Sequence, residues 1–80
     1  MSEHQLDARR LLCPMPVIRT QDAIAKLAAG DILNVVCTDP GALHDVPAWC
    51  RVHGHKIVLA EQRDAEVHIR IEVIAQEAKP

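Results

Sequence analysis

Hydrophobic and polar positions alternate most cleanly toward the end of the chain, where Val67, Ile69, Ile71 and Val73 are separated by His68, Arg70 and Glu72. A period of two over a full strand length predicts a β-strand with one face buried and the other in water. Ile57–Glu61 predicts a strand just before it, and only Gln62, Arg63 and Asp64 lie between the two. So short a link cannot hold a crossover helix, so an antiparallel hairpin is expected. Further upstream, Ile32, Leu33, Val35 and Val36 make a nearly continuous apolar run inside Asp31–Thr38, the pattern of a central strand. Leu6 and Ala8, alternating with polar neighbours over residues 4–9, suit a short half-buried strand.

Between the strands the period changes. Val17, Thr20, Ile24, Leu27 and Ala28 recur at the spacing of a helix face and predict a helix over 15–28. Proline is tolerated in a first helical turn, so the start falls at Pro14–Pro16, with Gly30 as the C′ residue and Asp31 beginning the exit. A second helix is expected after Asp39 as cap and Pro40 at its first position, with Leu43, Val46, Cys50 and His53 on one face up to Gly54. Pro47 removes a backbone donor and should kink that helix or make it restart near Asp45. The order is βαβαββ, and strands joined through a helix are expected to pair in parallel with right-handed crossovers. Clean alternation in the last strand implies that only one face of the sheet is covered. The expected fold is therefore α+β: a two-layer α/β sandwich with two helices packed on one face of a four-stranded mixed sheet. One domain over 1–80 is expected, with 1–3 and 76–80 frayed.

Composition narrows what such a domain does. The chain has 80 residues, 49% of them hydrophobic and 25% charged, which is a globular balance rather than a disordered one. Trp49 is the single aromatic residue, so no platform exists for stacking bases, and a net charge of −2 offers no field for a phosphate backbone. Direct nucleic-acid binding is not expected. No apolar stretch suits a signal peptide or a membrane span, which points to a cytoplasmic protein without a membrane partner. Cys13, Cys37 and Cys50 are then read as free thiols rather than a disulfide framework.

Cys13 stands directly before the proline-marked start of the first predicted helix, where unpaired amides and the positive end of the helix dipole favour a thiolate. Pro14 and Pro16 stiffen the turn and would present the sulfur without an ordering cost at each encounter. The competing reading is packing, because free cysteine is among the most buried residue types and Leu11 and Leu12 are apolar. A Cys-x-x-Cys dithiol is excluded, since position 16 is Pro.

The ordered set Leu6-Asp7-Ala8, Leu11 through Val17, Gly30-Asp31, Asp39-Pro40, Asp45 through Cys50 and Gly54-His55 resembles the TusA (SirA-like) family over nearly the whole chain. That resemblance implies a sulfurtransferase working as a sulfur carrier, without a cofactor, with Cys13 holding a sulfane sulfur as a persulfide. Leu12, Pro14, Met15, Pro16 and Arg10 would support the motif and dock partners. It implies a cysteine desulfurase or rhodanese as donor and a DsrE-like protein of the TusBCD or DsrEFH type as acceptor, with a monomeric carrier between them. The sulfur would feed tRNA thiolation, cofactor biosynthesis or dissimilatory sulfur oxidation. Two departures bear on partner choice: the family often has Gly where this chain has Arg10, and members acting in tRNA thiolation commonly carry polar or acidic residues where Leu12 and Met15 stand here. The alternative is a non-catalytic adaptor, regulatory or redox-sensing module that uses the Cys-Pro-x-Pro loop for docking.

Other polar residues have ordinary roles to set against special ones. Cys50, His53 and His55, with His44 upstream, have the chemistry of zinc ligands, yet Cys50 falls on the predicted core face and no second pair completes four ligands. No metal site is expected. Cys37, in the central strand, is assigned to packing. Asp39 and Asp45 suit helix capping better than acid–base work. Asp7 is placed to accept hydrogen bonds from amides of the turn, although a carboxylate nearby would raise a thiol pKa. Trp49 either covers the sheet or stands out as a docking anchor.

Overall fold

A computed structural model of the protein describes residues 2–12 and 14–74. Its elements are β1 (Glu3–Ala8), α1 (Met15–Ala25), β2 (Ile32–Cys37), α2 (Ala42–Val52), β3 (Lys56–Arg63) and β4 (Glu66–Glu72). The strands form one sheet in the order β1-β2-β4-β3. Every second residue of the two central strands is buried, and the register sets these residues side by side: Leu33 opposite Ile71, Val35 opposite Ile69, Cys37 opposite Val67. β1 lies parallel to β2 and continues that inner face with Leu6 beside Val35 and Ala8 beside Cys37. Both helices cover this face, with Ile24 of α1 and Ala42, Val46 and Cys50 of α2 in the core. The two-layer arrangement and the mixed sheet are those expected from the pattern.

One pairing differs. The connection through α2 makes β2 and β3 point the same way, but they do not share an edge, because β4 lies between them and is antiparallel to both. The hairpin is the cause: a short link forces β4 against β3, and β4 has the stronger apolar alternation, so it takes the central position beside β2. The hairpin is also tighter than expected. β3 runs on to Arg63, opposite Glu66, so the turn is Asp64-Ala65 with Asp64 in the left-handed region at φ 54°.

The helix ends depart from the sequence pattern for identifiable reasons. α1 stops at Ala25 rather than 28, since the amides of Lys26 and Leu27 turn to the carbonyls of Ala23 and Ile24, three residues back. Beyond it the Asp31 carboxylate accepts from the amides of Ala28 and Ser2, both at 3.1 Å, and Gly30, at φ 91°, donates to the Val73 carbonyl. Gly30 is thus the left-handed residue of this tied-down loop, not the helix C′. Ser2 and Glu3 are likewise joined to the sheet, with Ser2 accepting from the Ile32 amide, so the fray expected over 1–3 does not include them. The tail expected at 76–80 lies outside the described residues.

α2 begins two residues later than expected. Asp39 Oδ1 accepts from the Gly41 amide at 2.9 Å, and the amides of Ala42, Leu43 and His44 each reach three residues back, so Asp39-Pro40-Gly41 form a tight entry turn. Pro47 neither restarts nor divides the helix, which is continuous over Ala42–Val52 with Pro47 buried on its inner face. At the other end Gly54, at φ 81°, donates to the Arg51 carbonyl while His55 donates to that of Cys50, the paired bonds of a Schellman motif.

Among the described residues no helix covers the second face of the sheet, which carries a polar network. Arg70 of β4 reaches Glu3 of β1 at 3.0 Å and Asn34 of β2 at 3.1 Å, while Asn34 donates to Glu3, tying three strands across the open side. No helix among the described residues is long and apolar enough to cross a membrane. Gly54→Ala should lower stability by about 1 kcal/mol in urea denaturation, because a side chain disfavours the left-handed region. Nothing lies within 4 Å of the added Cβ, so an unchanged midpoint would mean that this cap contributes nothing.

Candidate functional site

The Cys-Pro-Met-Pro segment follows from the end of β1. Beyond Ala8 the chain turns through Arg9 and Arg10, and Arg10 lies in the left-handed region at φ 68°. Its amide donates to Thr38 Oγ1 at 2.8 Å, which ties this loop to the residue that follows β2. Leu11 then packs against the core, while Leu12 is 75% exposed. Pro14 is the N-cap of α1, Met15 is exposed at the helix start, and Pro16 is buried as its second residue. The Met15 amide donates to the Leu12 carbonyl at 2.8 Å and closes the turn over Pro14. Cys13 itself lies outside the described residues.

This geometry changes the electrostatic argument for the segment. Prolines at 14 and 16 carry no N–H, and that of Met15 is used by Leu12, so few amides of the helix start are left to solvate a thiolate. The helix dipole remains, and no acidic residue stands in the first turn of α1 to oppose it. Leu12, Met15 and Ile18, all exposed, form an apolar rim along the loop and the first turns of the helix.

Asp7 accepts from the Arg9 amide at 3.0 Å, as the sequence suggested for the turn, and from the Arg9 guanidinium at 2.9 and 3.0 Å. The side-chain bonds to Arg9, then the amide bond, hold the Asp7 carboxyl down at about 2. Arg9 also approaches Glu66 at 3.6 Å. Together with Arg10 and Thr38 these residues line a shallow depression of about 450 Å³ beside the loop. Its paired charges leave little net field.

Cys37 and Cys50 are fully buried. Burial pushes both thiols up to about 11, with the Asp39 carboxylate adding to the effect at Cys37. At neutral pH both are protonated and poorly nucleophilic. Trp49 covers the end of the core rather than standing free: it packs against buried residues, with its ring 4.4 Å from that of His53 and 5.9 Å from that of His55. His55 is buried, and its Nδ1 accepts from the Ile74 amide at 3.1 Å. His53 is an exposed C-cap. Among the described residues no three His, Cys, Asp or Glu side chains are grouped to hold a metal ion. Sequence reasoning passed over Thr38, because a threonine at a strand end carries no signal until the pairing of β1 with β2 sets it beside the loop.

The sequence pattern of the family described as Sulfurtransferase TusA matches residues 4–73. The chain belongs to the TusA family. The sulfur carrier protein TusA of Pseudomonas putida is 43% identical over 60 residues, covering 75% of this chain and 74% of that one. Its counterpart in Allochromatium vinosum is 29% identical over 69 residues, covering 86% and 91%. The crystal structure of a SirA-like protein from Desulfitobacterium hafniense superposes with a TM-score of 0.79 at 23% identity, covering 90% of this chain and 99% of that one. The shared fold is two helices on a four-stranded mixed sheet, and the family function is sulfur relay.

Burial, and then the charge of His53, lowers the His55 pKa, so the folded state prefers the neutral ring. Protonation also removes the lone pair that accepts from Ile74. Below the ordinary histidine value near 6.5 the unfolded chain binds more protons, so this contribution is complete above that pH and is lost as pH falls toward the folded value. Urea denaturation followed by Trp49 fluorescence should show stability falling between pH 7.5 and 5.5. His55→Asn, which keeps an acceptor near Nδ1, should show a shallower fall; equal slopes would remove His55 from the account.

Proposed function

We propose that this TusA-family protein carries a sulfane sulfur as a persulfide on Cys13. The observation that supports it most is the contrast among thiols: two are buried and held near 11, whereas the residues either side of Cys13, Leu12 and Pro14, are exposed at a turn stiffened by two prolines. The Cys13 thiolate attacks the terminal sulfur of a donor persulfide, forming a new S–S bond as the old one breaks and the donor thiolate departs. An acceptor thiolate then attacks that outer sulfur and releases the Cys13 thiolate. Each step exchanges one disulfide-type bond for another, so no external oxidant or reductant is consumed.

A cysteine desulfurase or a rhodanese suits the donor role, since both present sulfur on a protein thiol, and a DsrE-like protein suits the acceptor role. The exposed rim of Leu12, Met15 and Ile18, with Pro14 and Arg10 beside it, is the surface these partners would contact in turn. That rim also fits a docking module in which sulfur chemistry plays no part, and the cysteine variants separate the two. Incubated with a persulfide donor and read by intact mass, the wild-type protein should gain one sulfur atom that a reductant removes. Cys13→Ser should gain none while its circular dichroism is unchanged, whereas Cys37→Ala and Cys50→Ala should lose stability by about 1–3 kcal/mol yet still load. Loading of Cys13→Ser would eliminate the mechanism.

A further inference from the structure

We infer that Thr38 is a positioning residue for the sulfur-carrying loop, acting through the backbone of Arg10; the inference rests on Cys13 being the carrier. Arg10 is one of two non-glycine residues among those described that stand in the left-handed region, a conformation that L side chains rarely adopt and that needs support from its surroundings. The support is specific. The bond from the Arg10 amide to Thr38 Oγ1, 2.8 Å long, spans 28 positions of sequence, whereas the other backbone-amide bonds described in this stretch, Arg9 to Asp7 and Met15 to Leu12, are local. Local bonds shape the turn but do not fix where it stands on the protein.

The topology explains why this residue has the task. β1 and β2 run parallel with Ala8 beside Cys37, so Thr38 is the first residue past the paired register, level with the start of the loop. Its Cβ carries the acceptor on a short, stiff side chain. Leu11 in the core and the exposed Arg9–Glu66 contact at 3.6 Å also attach the loop through side chains, whereas the bond to Thr38 holds its backbone directly. An attack on a sulfur–sulfur bond requires a near-linear approach, so a loop that swings loses rate even when its thiol is unchanged.

The test compares Thr38→Val, which keeps the shape and removes the acceptor, with Thr38→Ser, using glutathione persulfide as donor and intact mass as the clock. Thr38→Val should load Cys13 about tenfold more slowly at saturating donor, with the half-saturating donor concentration unchanged and the melting temperature close to wild type. Amide exchange at Arg10 should accelerate in the same variant. Thr38→Ser, which keeps the acceptor, should restore loading. Thr38→Ala serves in the same way if the valine variant does not fold. Loading of the acceptor-free variant at the wild-type rate overturns the inference alone, as does a Thr38→Ser protein as slow as Thr38→Val. A wild-type protein that takes up no sulfur overturns the carrier reading beneath it.

Discussion

The apolar contact between the inner faces of β2 and β4 is the constraint on which everything else in this molecule depends. Leu33, Val35 and Cys37 meet Ile71, Ile69 and Val67 across an antiparallel pair, and neither row can reach water without opening the sheet. Each such side chain withdrawn from water contributes on the order of 1.5–3 kcal/mol, before the entropy of ordering the chain is set against it. The helices cover this surface, and their placement follows from it: α1 buries Thr20 and Ile24, α2 buries Val46 and Cys50, and the loops that lead into them gather where β1 and β2 end side by side. The Cys-Pro-Met-Pro segment therefore follows closely on a strand that is paired with the centre of the sheet.

Much of this was legible because period-two and period-3.6 patterns report burial directly. The six elements, their order and the two-layer arrangement follow from the positions of Val, Ile, Leu and Ala. What the pattern does not encode is competition between partners. It assigned parallel neighbours to β2 and β3, where β4 intervenes, because periodicity identifies a buried strand without saying which buried strand lies next to it. It carried α1 to residue 28 because Leu27 and Ala28 keep the spacing, whereas Asp31 and the Val73 carbonyl capture the backbone there. Pro47 was read as an interruption, since a missing donor is visible in sequence and the burial that compensates for it is not.

The candidate site was legible in its residues and less so in its physics. Cys13 between Leu12 and Pro14 is unmistakable in the sequence, and the high, buried thiols of Cys37 and Cys50 follow from their places on apolar faces. The same prolines that mark the helix start also take away the amides that make such starts attractive to anions. Activation by amide hydrogen bonds and stiffening by proline are therefore alternatives rather than partners. In this loop the prolines leave few free amides at the helix start, and the dipole acts beside those that remain.

The strand order has a consequence in time. β4 is the last of the described strands, yet it occupies the middle of the sheet, and β3 has no neighbour until β4 arrives. A chain emerging from a ribosome N-terminus first can pair β1 with β2, but the other edge of β2 stays open until residues 66–72 appear. Until then Cys37, whose eventual neighbour is Val67, has no wall on that side, and α2 with Cys50 lacks the strands it will lie against. In the nascent protein Cys37 and Cys50 therefore lack the full burial that raises their thiols. Only the closing strand walls in Cys37 and completes the cover over Cys50, so the burial that sets these two thiols apart is a product of completed folding.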